Sequence, residues 1–248
     1  MKVSVVIPVF NEKNTVREIV ERVCRLPIEK EVLVVDDGSQ DGSSEILQNE
    51  VSRLPDVRVI FQRPNQGKGA ALRRGFQEAT GGIVIVQDAD LELDPRDILK
   101  VIAPILGGEA DVVYGSRLLA GWAERASAAY WANRFLTALT NVLYGAVVTD
   151  METCYKCCRR EVLSRFRIES DRFDFEPEIT AKLLRLGYTI REVPVQYKPR
   201  SVAGGKKIGW RDGLKAIAVL FRYRFMTLER IKAGAACPAP VRDQEKAG

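Results

Sequence analysis

The stretch IVIVQDADLE (83–92) sets an apolar run, Ile83 to Val86, directly against two carboxylates, Asp88 and Asp90, with only Ala89 between them. A short continuous apolar run of this kind predicts a strand buried on both faces, as in a parallel sheet. Alternate residues of an extended chain point the same way, so Asp88 and Asp90 share a side. Two carboxylates so close repel unless a cation or basic groups stand by them. A divalent ion that also carries phosphate ligands fits, since Mg²⁺ takes one or two carboxylates and completes its shell from the substrate. The plainer alternative is a solvated turn with helix-capping acids, the role that suits Asp94 ahead of Pro95.

Outward from this strand the same unit repeats. Strands are expected at Val3–Ile7, Glu31–Val35, Val57–Phe61, Ile83–Gln87 and Asp111–Tyr114. Helical patterns fill the gaps at Asn14–Cys24, Ser43–Arg53, Gly69–Ala79 and Pro95–Leu106. This alternation predicts an α/β fold with a mostly parallel central sheet flanked by helices. Ligands of such sheets bind beyond the carboxyl ends of the strands. Four loops lie there: PVFNE (8–12), DDGSQDGS (36–43), RPNQGKG (63–69) and DADLE (88–92). The second half is less regular, with helices at 126–145, from Pro177 to Leu186 and at 210–232, and a strand over Thr189–Tyr197. In the first of these helices Asn133, Thr137 and Asn141 recur every fourth residue, on one face.

Composition removes several chemistries. The 248 residues contain no histidine, which excludes Ser-His-Asp and Cys-His nucleophile systems and imidazole metal sites. A metal here must be held by oxygen, pointing to Mg²⁺ or Mn²⁺. The formal net charge of +5 is too mild for a dedicated nucleic-acid binder but suits anionic ligands or an acidic membrane surface. Five cysteines in no framework spacing read as free thiols of a reducing cytosol. The chain opens on a strand without a signal peptide, and no run approaches the roughly 20 apolar residues that span a bilayer.

Two further loops are ambiguous as sequence. Asp36 and Asp37 end the second strand, where a carboxylate could accept hydrogen bonds from a base or ribose, or could close an Asx turn. NQGKGAALRRG (65–75) leads into a helix like a phosphate cradle, yet matches neither GxxxxGK[ST] nor GxGxxG; tight backbone packing explains its glycines equally well.

Taken together, VSVVIPVFNE, VVDDGSQDGS, NQGKGAALRRG and QDADLELDP resemble family 2 glycosyltransferases of the GT-A (nucleotide-diphospho-sugar transferase) fold. VVYGSR (112–117), TDMETCYK (149–156), DFEPEI (174–179), EVPVQYKPR (192–200) and KKIGWRDG (206–213) look like the polyprenyl-phosphate sugar synthase branch, the dolichyl-phosphate mannose synthase relatives. The resemblance runs in order over about residues 1–225.

It implies a role for each matching position. Pro8, Phe10, Asn11 and Glu12 line the nucleotide pocket, Asp36 or Asp37 contacts the base, and Lys68 sits with the donor. Asp88, Ala89 and Asp90 stand as the DxD element that binds Mg²⁺ or Mn²⁺ and the donor diphosphate, with Glu92 a further metal ligand. Arg117 meets the acceptor phosphate, with Arg134 a weaker candidate; Arg200, Lys206 and Lys207 close over the phosphates. Asp150 lies in the segment nearest the sugar, and Glu176 or Glu178 positions the donor. The implied activity is inverting transfer of a hexose, mannose or glucose, from a UDP- or GDP-sugar to a polyprenyl or dolichyl phosphate, and Asp90, Asp150 and Arg117 are the expected catalytic positions. A lipid phosphate is already ionised, so the nucleophile needs positioning more than a base.

Many relatives of that branch carry C-terminal membrane helices, whereas residues 214–231 here mix apolar residues with Lys215, Arg222, Arg224 and Arg230. The expected division is a catalytic domain over 1–210, a basic apolar-rich helix over 211–232 and a tail over 233–248. That helix suits either an anionic membrane interface or packing on the core, and a membrane-embedded partner protein is another possibility. The expected setting is peripheral, on the cytoplasmic face of the membrane, with no nucleic-acid partner. A haloacid-dehalogenase-like phosphotransferase is the competing enzyme class, but its DxD motif follows the first strand and here follows the fourth. A non-lipid acceptor on the same fold and a non-catalytic scaffold complete the alternatives. A Rossmann dehydrogenase lacks its glycine fingerprint.

Overall fold

The computed structural model describes residues 1–122, 127–200 and 210–233. Seven strands form one sheet in the order β3-β2-β1-β4-β6-β5-β7. They are β1 (Val3–Val9), β2 (Lys30–Asp36), β3 (Val57–Phe61), β4 (Ile83–Val86), β5 (Val112–Ser116), β6 (Lys156–Arg159) and β7 (Ile190–Pro194). β6 runs antiparallel between β4 and β5, and the other neighbours pair in parallel. The predicted α/β architecture with a mostly parallel sheet is therefore the one observed.

Nine helices among the described residues cover the sheet: α1 (Val16–Cys24), α2 (Ser43–Asn49), α3 (Lys68–Glu78), α4 (Ile98–Leu106), α5 (Ala128–Tyr144), α6 (Arg160–Leu163), α7 (Phe175–Arg185), α8 (Trp210–Phe225) and α9 (Leu228–Lys232). Val5, Val6, Ile7, Val32, Leu33, Val34, Ile83 and Ile85 are all fully buried, which is why the strands read as unbroken apolar runs. Each such side chain contributes about 1.5–3 kcal/mol on leaving water. Packing is close enough that a Cβ on Gly75 of α3 would sit 2.3 Å from Val6 Cγ1 of β1.

Three expected helices are shorter than their patterns suggested. Residues 43–53 form α2 and then a 3-10 turn over Val51–Arg53. Pro95–Asp97 is a 3-10 turn ahead of α4, capped by the Asp94 carboxylate, which accepts from the Arg96 N–H at 2.9 Å. The span 210–232 breaks after Phe225, where Thr227 caps α9. α7 starts at Phe175, two residues before the expected Pro177; proline is tolerated in a first turn, where its missing N–H has no intrahelical acceptor.

β4 pairs with β1 from Ile83 to Val86, and the Gln87 N–H donates to the Val6 carbonyl at 2.9 Å. Asp88 is thus the first residue to leave the sheet, while β1 continues to Val9. Within residues 211–232, Ala216, Leu220, Tyr223 and Ile231 are buried in the common core. Lys206, Lys207 and the tail over 234–248 lie outside the described residues.

Candidate active site

Beyond the carboxyl ends of β1, β2, β4 and β5 lies a cleft of about 920 Å³. Its walls include Pro8, Phe10, Glu12, Asp37, Lys68, Asp88, Ala89, Asp90, Glu92, Arg117, Glu176 and Arg200, so most of the sequence-predicted positions share one cavity.

One pole of the cleft is acidic and held by two basic side chains. Lys68 Nζ lies 3.0 Å from Asp88 and 2.7 Å from Glu176. Burial works to lower the Lys68 ammonium, but Asp88 and Glu176 outweigh it and hold its pKa well above the usual lysine value. Arg200 spans three acids, at 3.0 Å from Glu12, 3.1 Å from Asp90 and 3.6 Å from Glu92. Leu91 takes a positive φ of 62°, and the turn lets Asp90 Oδ1 accept from the Glu92 N–H at 3.1 Å. Burial, then the charges of Asp88 and Glu92, push the Asp90 carboxyl upward despite Arg200. Carboxylates crowded to this degree favour a cation. Among the described residues no group of three or more His, Cys, Asp or Glu could hold a metal ion. The Glu92 carboxylate, expected as a further metal ligand, accepts from the Arg200 backbone N–H at 3.1 Å and lies 3.6 Å from the Arg200 guanidinium. The oxygen donors of Asp88 and Asp90 suit a hard ion whose shell is completed by a ligand's phosphate oxygens.

The other pole is Arg117. Asp150, fully buried, accepts from Arg117 Nε at 2.7 Å, Nη2 at 2.8 Å and the backbone N–H at 3.0 Å, and from Asn133 Nδ2 at 2.8 Å. Burial would raise Asp150, but the guanidinium of Arg117 prevails and holds its pKa below the usual carboxylate range. The guanidinium lies 4.4 Å from the Trp122 ring centroid and 5.2 Å from that of Tyr197. Asp150 therefore lies beneath Arg117 and orients it; its oxygens are taken up by Arg117 and Asn133, and it does not itself line the cleft. The polar face of α5 supports this loop. Thr137 Oγ1 donates to Asn133 Oδ1 and accepts from the Met151 N–H, while Asn141 holds both backbone groups of Val148. Glu192 accepts from the Thr149 and Asp150 N–H groups.

Other expected positions are committed to their own loops or lie off the cleft. Asp36 is buried, accepting from the Ser39 N–H at 3.1 Å and from Ser44 Oγ at 2.5 Å; it closes the turn and does not line the cleft. Asp37 lines the cleft but spends its oxygens on Gln62, Asn65, Gln66 and Gly67. Asn11, with φ of 55°, ties its loop to Ser39 and Gln40. Glu178 lies two residues from Glu176 and so turns to the other side of α7, where it binds Lys182, Tyr223 and the N–H groups of Glu169 and Ser170. Arg134 is exposed on α5 and is not on the cleft wall, because its neighbour Asn133 takes the inward face. Gly67 and Gly69 serve close packing: a Cβ on either would sit 2.3 Å from the backbone oxygen of Asp171 or Ser170, respectively.

Sequence reasoning missed Trp122, Tyr197 and Glu152. All three line the cleft. Tyr197 and Glu152 lie inside EVPVQYKPR and TDMETCYK, so position within a quoted motif was the available signal. Burial, followed by the charge of Glu176, raises the Glu152 carboxyl, and burial lowers Lys156 nearby.

Residues 4–167 match the Glycosyl transferase family 2. The chain is 29% identical over 209 residues to Glycosyltransferase AglD of Haloferax volcanii, covering 81% of this chain and 34% of that protein. It is 28% identical over 220 residues to Undecaprenyl-phosphate mannosyltransferase of Micrococcus luteus, covering 84% and 88%. The chain thus spans about a third of the first relative's length and most of the second's. Among solved structures, glucosyl-3-phosphoglycerate synthase from Mycobacterium tuberculosis, in complex with Mn²⁺, UDP and phosphoglyceric acid, aligns with a TM-score of 0.70 at 22% identity, covering 91% of this chain and 79% of that one. That likeness establishes the GT-A fold.

Proposed function

The chain belongs to glycosyl transferase family 2, and from that premise we propose that it transfers a hexose, with inversion, from a nucleotide-diphosphate sugar to a polyprenyl phosphate. The carrying observation is that one cleft joins two poles of opposite character. Asp88 and Asp90, with Lys68 and Arg200, form the acidic and metal-competent one; Arg117, stacked under aromatic rings and braced by Asp150, forms the cationic one.

The residues divide the work accordingly. Pro8, Phe10 and the Asp37 loop form the wall against which the nucleotide rests. Asp88 and Asp90 would hold Mg²⁺ or Mn²⁺ together with the donor diphosphate. Such an ion, when bound, neutralises charge on the departing nucleotide diphosphate. Lys68 and Arg200 add positive charge at the same end, which lowers the barrier most as negative charge grows on the leaving group. Arg117 receives the acceptor phosphate through its guanidinium, whose direction is fixed by Asp150. A phosphate monoester is an anion at neutral pH, so its oxygen attacks the anomeric carbon without a general base. The absence of histidine from the chain is consistent with this chemistry.

The lipid acceptor is favoured by the outer face of α5 and α8. Trp131, Phe135, Ala138 and Val142 recur at helical spacing on one exposed stripe of α5, and Leu214, Ala218, Phe221 and Phe225 on one of α8. The two helices pack together, with the Tyr144 hydroxyl donating to the Leu220 carbonyl at 2.6 Å. Exposed Lys215, Arg224 and Arg134 accompany these stripes, a pattern that suits an anionic bilayer surface. No helix among the described residues is long and apolar enough to cross a membrane.

The test is a donor panel of UDP- and GDP-hexoses with Mn²⁺, following nucleotide diphosphate release with undecaprenyl phosphate or phosphoglyceric acid as acceptor. Release that depends on the lipid phosphate supports the proposal. Release that depends only on the soluble acid, or on neither, overturns it.

A further inference from the structure

Three buried polar atoms on the cleft wall have no hydrogen-bond partner among the described residues: Trp122 Nε1, Glu152 Oε1 and Glu176 Oε2. Buried polar groups are satisfied in the great majority of cases, so three orphans on one cavity mark where a ligand's polar groups belong. One is a donor and two are acceptors.

Their surroundings define that ligand. The other oxygen of Glu176 accepts from Lys68, which reaches on to Asp88 at the acidic pole. Glu152 lines the cleft together with Glu176 and Arg117, and its backbone N–H donates to Asn133, the residue that also holds Asp150 beneath Arg117. Glu152 and Glu176 offer oxygen acceptors to hydroxyl groups and nothing that would pair an anion. The neighbouring cation, Lys156, is committed to the carbonyls of Met151 and Thr153, at 2.6 and 2.9 Å. The group that fits is neutral and rich in hydroxyls.

This inference rests on the reading that the donor diphosphate lies at Asp88 and Asp90 and the acceptor phosphate at Arg117. The group between them is then the sugar in transit. We propose that Glu152 is a specificity-determining residue for that sugar: Oε1 accepts a hydrogen bond from one ring hydroxyl beside Glu176, and the Trp122 indole donates to a second hydroxyl oxygen. A site built to hydrogen-bond a hydroxyl rejects an analogue that misplaces it, because the buried partner is then left unpaired.

The test is binding to the full chain with Mn²⁺, using UDP, GDP and two epimer pairs, UDP-glucose with UDP-galactose and GDP-mannose with GDP-glucose. The wild type is expected to favour one member of a pair by at least about tenfold. Glu152→Ala should bring that ratio to within about twofold while UDP and GDP affinities hold, and Glu152→Gln should retain part of it. A preserved ratio in Glu152→Ala overturns the proposal, as does an equal loss of bare nucleotide affinity, which marks a structural role. A wild type without discrimination overturns it too. Should Glu152→Ala not fold, the ratio in Glu152→Gln decides: unchanged overturns, reduced supports. Epimer selectivity without any transfer to polyprenyl phosphate would remove the proposed function and leave this inference standing.

Discussion

Arg117 and Asp150 form a bidentate pair in which the carboxylate is fully buried and the guanidinium, 2.7 Å away, is stacked against Trp122 and Tyr197 on the cleft wall. The carboxylate cannot reach a substrate, but it fixes where the guanidinium points. Removing either partner of a buried pair leaves the other uncompensated, at a cost of about 3–5 kcal/mol.

Arg117→Ala is therefore expected to lower kcat/KM for the lipid phosphate by about 100-fold or more. Donor binding should stay within about twofold, since Arg117 belongs to the opposite pole. Asp150→Asn keeps the shape and removes the charge; it should raise the acceptor KM and lower thermal stability together. Steady-state kinetics with separate donor and acceptor titrations, alongside calorimetric melting, check both.

Lys68 bridges Asp88 and Glu176, so Lys68→Met leaves two carboxylates facing each other in a buried place. The metal-free variant is expected to be less stable by about 1–3 kcal/mol. Because a divalent ion at Asp88 offsets the lost ammonium, Mn²⁺ should raise its melting temperature by more than it raises that of the wild type. Equal increments in the two proteins would separate Lys68 from the metal site. Asp88→Asn with Asp90→Asn should abolish the Mn²⁺ increment altogether, and EDTA should stop transfer by the wild type.

How far these sites were legible in the sequence follows from how local they are. Asp88 and Asp90 announce themselves because they follow directly on the unbroken apolar run of β4, Ile83–Val86. The inward face of α5 was visible in the spacing of Asn133, Thr137 and Asn141, but the loop it holds, 148–152, became evident only in the fold. Glu176 and Glu178 could not be separated without knowing where α7 starts, since one residue of phase decides which faces the cleft. The stacking of Trp122 and Tyr197 on Arg117 joins segments far apart in the chain, as does the contact of Arg200 with Asp90. No periodicity reports such pairings. Asp36 and Asp37 both serve turn chemistry, because the loops after β2 and β3 use those carboxylates for their own N–H groups.

The exposed stripes of α5 and α8 predict binding to vesicles. Full-length protein should sediment with phosphatidylglycerol-containing vesicles and less with neutral phosphatidylcholine, since each basic side chain near an anionic surface contributes about 1 kcal/mol. Trp131→Ser with Phe135→Ser should weaken binding to the anionic vesicles about tenfold or more, because both rings are more than half exposed in water, at 64% and 59%. Transfer to a short, water-soluble polyprenyl phosphate should be unchanged by this pair, which lies off the cleft wall. Full binding by the double variant would remove these helices from the membrane contact.

Acid stability offers a test of the fold far from the cleft. Glu31, at the start of β2, accepts from Ser4 Oγ at 2.5 Å, the Thr80 N–H at 2.6 Å, the Gly81 N–H at 3.1 Å and Lys2 Nζ at 3.3 Å. Burial alone would raise its pKa, but these hydrogen bonds prevail and hold it at about 2. The unfolded chain protonates a glutamate near pH ~4.3. A folded-state pKa below that value means the ionised carboxylate stabilises the native state at neutral pH. The contribution is complete above about pH 4.3 and disappears as pH falls toward the folded value of about 2. Glu31→Gln should accordingly cost about 1–3 kcal/mol at pH 7, the range for hydrogen bonds to a charged group. The gap between variant and wild type should narrow through that acidic window, while turnover at pH 7 is unaffected. Urea unfolding at a series of pH values measures it; a gap that stays constant from neutral pH to pH ~2 would show that the Glu31 charge contributes nothing to stability.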